Sequence, residues 1–157
     1  SSGPHSNGFS LIRKILDSVD IKNKLEIKKT LLTPTKIYTN LAQNSEILKI
    51  AKGFAHITGG GIIDNLPRIF PSGLTAKIRL DAWETPTILK WVIKESNLED
   101  KDALKTFNCG IGFVVIIDKE NQKIFLETCK NINENAYLIG EVLQGKDLLF
   151  EGNLLLD

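Results

Sequence analysis

The sequence predicts an α+β (mixed α/β) domain, a mostly antiparallel or mixed β-sheet flanked by helices. Three observations predict it. Leu74, Ala76, Ile78 and Leu80 alternate with Thr75, Lys77 and Arg79, the period of two that marks a half-buried strand. Ile12, Ile15, Leu16 and Val19 recur at helical spacing, as do Ile88, Leu89, Val92 and Ile93. Segments of the two kinds alternate along the whole chain, with no repeat, linker or low-complexity stretch, so helices pack on a sheet within one unit, residues 1–157.

In chain order, Ser6 or Asn7 is placed to cap a first helix from Phe9, since either side chain accepts the free N–H groups of a first turn. A polar stretch follows through Lys29. Residues 31–38 read as extended, because Thr33 precedes Pro34 and is steered toward β or polyproline geometry. A helix is expected over 41–52, stopped by Gly53, and then a short strand over 54–58 ends at Gly59-Gly60-Gly61. Ile62, Ile63, Leu66 and Ile69 suit the inner face of a short helix limited by Pro67 and Pro71. The strand over 74–80 leads to a helix over 86–96, with proline tolerated in its first turn, and a further short helix over 98–106. Residues 112–117 form a continuous apolar run of strand length, which predicts a central strand covered on both faces. Residues 121–130 read as a helix. Strands over 137–142 and 148–150 close the chain, the last beside Leu154 to Leu156.

Composition narrows the function. Of 157 residues, 42% are hydrophobic and 25% charged, the mix of an ordinary globular domain, which excludes disordered, collagen-like and coiled-coil classes. Twenty Lys and Arg face 19 Asp and Glu, a formal charge of +1, too balanced for binding by neutralisation of a polyanion, so nucleic acid is not an expected partner. The longest apolar run, Ile111 to Ile117, is far short of the ~20 residues of a membrane helix, so no membrane association is expected. Cys109 and Cys129 have no metal-ligand spacing and form no disulfide framework, which points to a reducing, cytoplasmic setting. Cys109, without a basic neighbour in sequence, reads as a packing residue rather than a nucleophile. No carboxylate cluster suggests a metal site.

The candidate chemistry lies in loops. The glycine triplet has neither the spacing of a dinucleotide fingerprint nor the Gly-Lys-Ser/Thr ending of a P-loop. Two causes fit it. Bare backbone can approach a phosphate closely and offer several N–H groups, or the run can make a tight turn in a crowded place. His5 and His56 both precede glycine-containing turns, where a ring titrating near neutrality suits proton transfer or phosphate contact, or a purely structural role. Arg68 lies one helical turn past the triplet, as an anion clamp or a plain surface cation. Asn65 and Asn108 are amides beside glycines, suited to substrate polar atoms or to turn capping. The opening Ser1-Ser2-Gly3 reads as a position inside a longer protein or as an expression-tag remnant.

Four blocks in combination carry a resemblance: Ser1-Ser2-Gly3-Pro4-His5-Ser6-Asn7-Gly8-Phe9-Ser10-Leu11; Leu32-Thr33-Pro34-Thr35-Lys36-Ile37-Tyr38; Ala55-His56-Ile57-Thr58-Gly59-Gly60-Gly61 with Asn65-Leu66-Pro67-Arg68; and Thr106-Phe107-Asn108-Cys109-Gly110-Ile111-Gly112. In order and spacing the chain resembles the C-terminal domain of the phosphoribosylformylglycinamidine cyclo-ligase (aminoimidazole ribonucleotide synthetase) family. The His-Ser-Asn-Gly start is shared with relatives such as formylglycinamidine ribonucleotide synthetase, and the last block separates the two; a non-catalytic binding or dimerisation module is the other alternative. The tag reading of Ser1 to Gly3 recedes. The family often has Met flanking the last block, where this chain has Cys109 and Phe113, changes that look like packing substitutions.

The resemblance implies an ATP-dependent ligase of de novo purine biosynthesis, in which ATP phosphorylates the formamide oxygen of a ribonucleotide substrate and a ring nitrogen closes onto that carbon. It implies that the chain is a single C-terminal domain, that the ATP- and Mg2+-binding half lies N-terminal to it, and that the fragment alone is inactive and binds no cofactor. It also implies a cytoplasmic homodimer. His5 and Asn7 are then the catalytic candidates, and Ser6, Gly8, His56, Thr58, Gly59, Gly60, Gly61, Asn65, Arg68 and Asn108 the substrate-binding ones.

Overall fold

The computed structural model describes residues 1–20 and 24–157. Among the described residues eight helices and five strands alternate in mixed α/β order: α1 Phe9–Ser18, α2 Lys24–Leu31, α3 Thr39–Ala42, α4 Ser45–Ile50, β1 Ala51–His56, α5 Gly61–Asn65, β2 Leu74–Arg79, α6 Thr87–Ser96, α7 Asp100–Thr106, β3 Phe113–Ile117, α8 Gln122–Asn131, β4 Gly140–Gln144 and β5 Leu149–Glu151. A 3-10 turn, Leu66–Ile69, continues α5, and its proline sits where a missing N–H costs nothing. The predicted fold class holds.

The strands form a two-stranded antiparallel ribbon, β1–β3, and a three-stranded sheet in the order β4-β2-β5. β2 runs antiparallel to β4 and parallel to β5. Between and around them a large core gathers Ile12, Ile15 and Leu16 of α1, Ala76 and Ile78 of β2, and Leu89, Val92 and Ile93 of α6. A smaller cluster around Leu41, Ile47 and Cys129 lies on the opposite face of the ribbon and takes in Phe113 and Val115.

Several expectations are corrected. Neither Ser6 nor Asn7 caps α1; Gly8 does, with a left-handed φ of 75° and no side-chain bond. The polar stretch through Lys29 contains α2, whose one buried residue, Leu31, leaves too faint a periodicity to read; residues 21–23 of that stretch lie outside the described residues. The helix expected over 41–52 is two helices. Asn44 divides them, its side chain accepting the N–H groups of Glu46 at 3.0 Å and Ile47 at 3.2 Å. Gly53 does not stop a helix but sits within β1, where a Cβ would meet Ile69 at an ordinary 3.5 Å.

β3 is apolar all along because both faces of the ribbon are covered, yet among the described residues it pairs with β1 alone and is not central. Leu74, expected inside, is 37% exposed at the start of β2, while Thr75 is buried. β4 starts three residues later than expected. β5 pairs with β2 rather than with Leu154 to Leu156, and Leu155 instead bridges Glu84.

Candidate functional site

The loop 107–112 between α7 and β3 is the platform on which two other loops rest. Asn108 is 2% exposed and anchors the first of them: its Nδ2 donates to the Gly3 carbonyl at 2.8 Å, and its Oδ1 accepts from the Ser1 hydroxyl at 2.7 Å and the Gly110 N–H at 2.9 Å. Phe107, fully buried, fills the space beside Gly8, where a Cβ would lie within 2.8 Å of two further ring carbons. Gly8 therefore has a packing cause as well as a backbone one. At Gly61 a Cβ would run into the Leu104 carbonyl, so that glycine is fixed by the close approach of α5 to α7.

The glycine loop is braced from within. Asn65, buried, donates from Nδ2 to the carbonyls of Gly59 at 3.0 Å and Gly61 at 2.7 Å, and its Oδ1 accepts from the Thr58 hydroxyl at 3.2 Å. The Gly61 N–H closes the turn onto the Thr58 carbonyl at 3.0 Å and is not free for a ligand. Gly60 has a left-handed φ of 87°. Gly59 differs from both. Its φ is ordinary, it is exposed, and the nearest neighbour of a Cβ there is Asn7 Oδ1 at 4.0 Å. Asn7 and Gly59 thus mark where the two loops meet, with no packing reason for Gly59 to lack a side chain.

His5 is buried, with a left-handed φ of 58°. Its Nε2 accepts the Ser2 backbone N–H at 3.2 Å, which a protonated nitrogen could not do, so in the neutral ring the proton sits on Nδ1. Nδ1 has no partner. Burial, then the nearby N-terminal ammonium and His56, pull its pKa from 6.5 to about 4, so the ring is neutral at physiological pH.

Tyr38 completes the cluster and carried no site role in the sequence reading. Its ring stacks on Phe113 at 5.2 Å and meets His56 edge-on at 5.9 Å. Its hydroxyl is buried without a partner among the described residues, and burial pushes its pKa up to about 12. The missing side chain of Gly112 makes this possible: both the Tyr38 hydroxyl and His5 Cε1 come within 2.9 Å of the point a Cβ would occupy. The only signal in sequence was an aromatic residue closing the Thr-Pro-Thr-Lys-Ile-Tyr block.

Ser6, His56, Thr58 and Arg68 are exposed, and Arg68 and Ser6 take no part in the hydrogen-bonded cluster. Cys109 is fully buried, with its thiol pushed up to about 12 by burial, and is no nucleophile. Among the described residues no group of three or more His, Cys, Asp or Glu side chains could hold a metal ion. The arrangement offers neutral donors, amides and backbone N–H groups, which bind and orient a ligand rather than attack it.

Residues 1–151 match the family described as AIR synthase related protein, C-terminal domain. The chain belongs to that family. Among its curated relatives, the phosphoribosylformylglycinamidine cyclo-ligase of Caldanaerobacter subterraneus subsp. tengcongensis is 46% identical over 93% of the chain and 46% of its own length. The chloroplastic enzyme of the same name from Arabidopsis thaliana is 41% identical over 96% of the chain and 41% of its length. This AIR synthase related domain therefore spans just under half the length of these relatives. A crystal structure of thiamine-monophosphate kinase from Stenotrophomonas maltophilia shares the fold, with a TM-score of 0.65 at 13% identity over 97% of the chain and 49% of the other. No described helix is long and apolar enough to cross a membrane.

Proposed function

We propose that the chain is the C-terminal, substrate-side domain of an ATP-dependent cyclo-ligase that converts formylglycinamidine ribonucleotide to aminoimidazole ribonucleotide, ADP and phosphate. The observation that carries this is the similarity, up to 46% over 93% of the chain, to proteins named phosphoribosylformylglycinamidine cyclo-ligase. The longer protein would be a cytoplasmic homodimer.

The geometry supports a division of labour. Backbone N–H groups of Gly59 and Gly60, with Arg68 at the rim, face the phosphate and ribose, where bare backbone allows close approach. His5 and Asn7 face the formyl group. A neutral imidazole with its proton on Nδ1 donates a hydrogen bond to an oxygen that gains negative charge, without giving its proton up. Ser6, His56 and Thr58 border the same space. Gly8, Gly61, Asn65 and Asn108 build the loops, and their role is one of position. The described residues present no carboxylate cage for magnesium, and ATP and Mg2+ are assigned to the part of the longer protein outside this chain.

Gly59→Ala in the longer protein tests the site. Because a Cβ there meets nothing closer than 4.0 Å, the melting temperature should stay within a degree or so, while substrate KM rises about tenfold from the methyl group in the phosphate's path. Unchanged KM and kcat would remove the glycine loop from the substrate site. Absence of any ATP-dependent turnover of formylglycinamidine ribonucleotide by the unaltered protein would refute the activity itself.

A further inference from the structure

Asn7-Gly8 is the one Asn-Gly pair in the sequence. Asparagine is among the thermolabile residues, and a glycine after it leaves the next backbone nitrogen without a Cβ to shield it from the amide carbon. Position 8 has no freedom to carry anything else. Its φ of 75° is left-handed, and any Cβ there would run into the Phe107 ring. The packing that builds the platform therefore keeps the reactive pair in place.

Both reacting groups are also unengaged. Asn65 and Asn108 hold loops through both ends of their amides, and Asn44 caps α4. Among the described residues the Asn7 amide bonds to nothing, and the Gly8 N–H has no acceptor; at Gly8 only the carbonyl is used, by the Ile12 N–H at 3.0 Å. Asn7 is half-buried, so water reaches it, and across from it Gly59 has no side chain to hold its amide in place. α1 begins directly after the pair, with no side-chain cap and no acidic residue in its first turn. Free N–H groups at the positive end of that helix favour the negative charge that ring closure builds.

We propose that Asn7 is a site of spontaneous covalent modification, converted in the folded protein to aspartate and isoaspartate through ring closure onto Gly8. The Gly8 nitrogen gives its proton to hydroxide and attacks Asn7 Cγ; the Cγ–Nδ2 bond breaks and ammonia leaves, closing a succinimide. Water then opens the ring. Cleavage of the bond from Cγ to the Gly8 nitrogen gives aspartate, and cleavage of the bond from the Asn7 main-chain carbonyl carbon to that nitrogen gives isoaspartate, so the net change is water in and ammonia out. Either product sets a carboxylate where the two site loops meet, and isoaspartate also lengthens the main chain by a methylene between His5 and α1. The reaction needs no substrate, so it stands apart from the proposed function.

Peptide mapping of the folded protein, held for days at pH 8.5, tests this. Asn7 is the one amide side chain in residues 1–13, and trypsin cuts after Arg13. The peptide ending there should gain about 1 Da and split into two products, one of them a substrate for isoaspartyl methyltransferase. Conversion should be about tenfold or more faster than in the peptide 37–49, which carries exposed Asn40, followed by leucine, and the capping Asn44. An unchanged Asn7 in native buffer, with conversion of the same peptide in urea, would overturn the proposal, because the fold would then protect the pair. Asn7→Gln should abolish the mass gain; a gain that persisted in that peptide would place the chemistry elsewhere and overturn it too.

Discussion

A buried imidazole that stays neutral makes stability depend on pH in a defined direction. The unfolded chain binds a proton at His5 near pH 6.5, whereas the folded chain refuses it until about pH 4. Protonation therefore favours the unfolded state, and stability is lost as pH falls from about 6.5 toward 4, by up to about 3 kcal/mol. His5→Asn, which tolerates the left-handed backbone, should flatten that loss; urea midpoints at pH 7 and 4.5 for both proteins check it. An equal drop in the two would remove His5 as the cause. His5 stood out as a candidate from its loop, but its neutrality was not legible there, because desolvation by Tyr38, Gly112 and the platform loop is a tertiary fact. Tyr38 shows the same limit from the other side: an aromatic residue in an extended block reads as packing until its hydroxyl is found buried without a partner.

Among elements, the break between α3 and α4 rests on one side chain. Asn44 satisfies two N–H groups at the start of α4, and Asn44→Ala should cost about 1 kcal/mol, with Asn44→Asp close to neutral. Chemical denaturation of the three proteins reads this directly; a neutral alanine variant would show that α4 is held by Ile47 packing alone. The sequence contained the signal, an Asn-Ser-Glu run ahead of an apolar position, but Leu41, Ile47 and Leu48 also fit one longer helical stripe. Gly53 misled for a related reason. Punctuation by glycine is ambiguous between a helix stop and a strand position under close contact, and only the approach of Ile69 decides.

For the molecule as a whole, the two thiols report on global opening. Burial raises Cys109 to about 12 and Cys129 to about 11, and both are fully inaccessible. At pH 8 alkylation of either should be limited by unfolding, with rates that rise together in denaturant. Rapid labelling of Cys109 in native buffer would contradict its place in the core. The platform loop that contains Cys109 also holds Trp83 by the bond from its indole N–H to the Cys109 carbonyl at 2.9 Å, so one loop ties together the core and both site loops.

The sequence by itself determined the alternation of helices and strands, the α/β class, the family and the loops that carry the candidate site, because periodicity and turn chemistry are local and the family blocks are contiguous. Only the tertiary structure decided which glycines are bare for packing and which have no packing cause. Gly8 and Gly61 answer to Phe107 and Leu104, residues about a hundred and about forty positions away, whereas a Cβ at Gly59 meets nothing among the described residues closer than Asn7 Oδ1 at 4.0 Å. It also decided that Asn65 and Asn108 spend their amides on loops. Such distinctions depend on what stands opposite a residue across space, and no spacing along the chain encodes that.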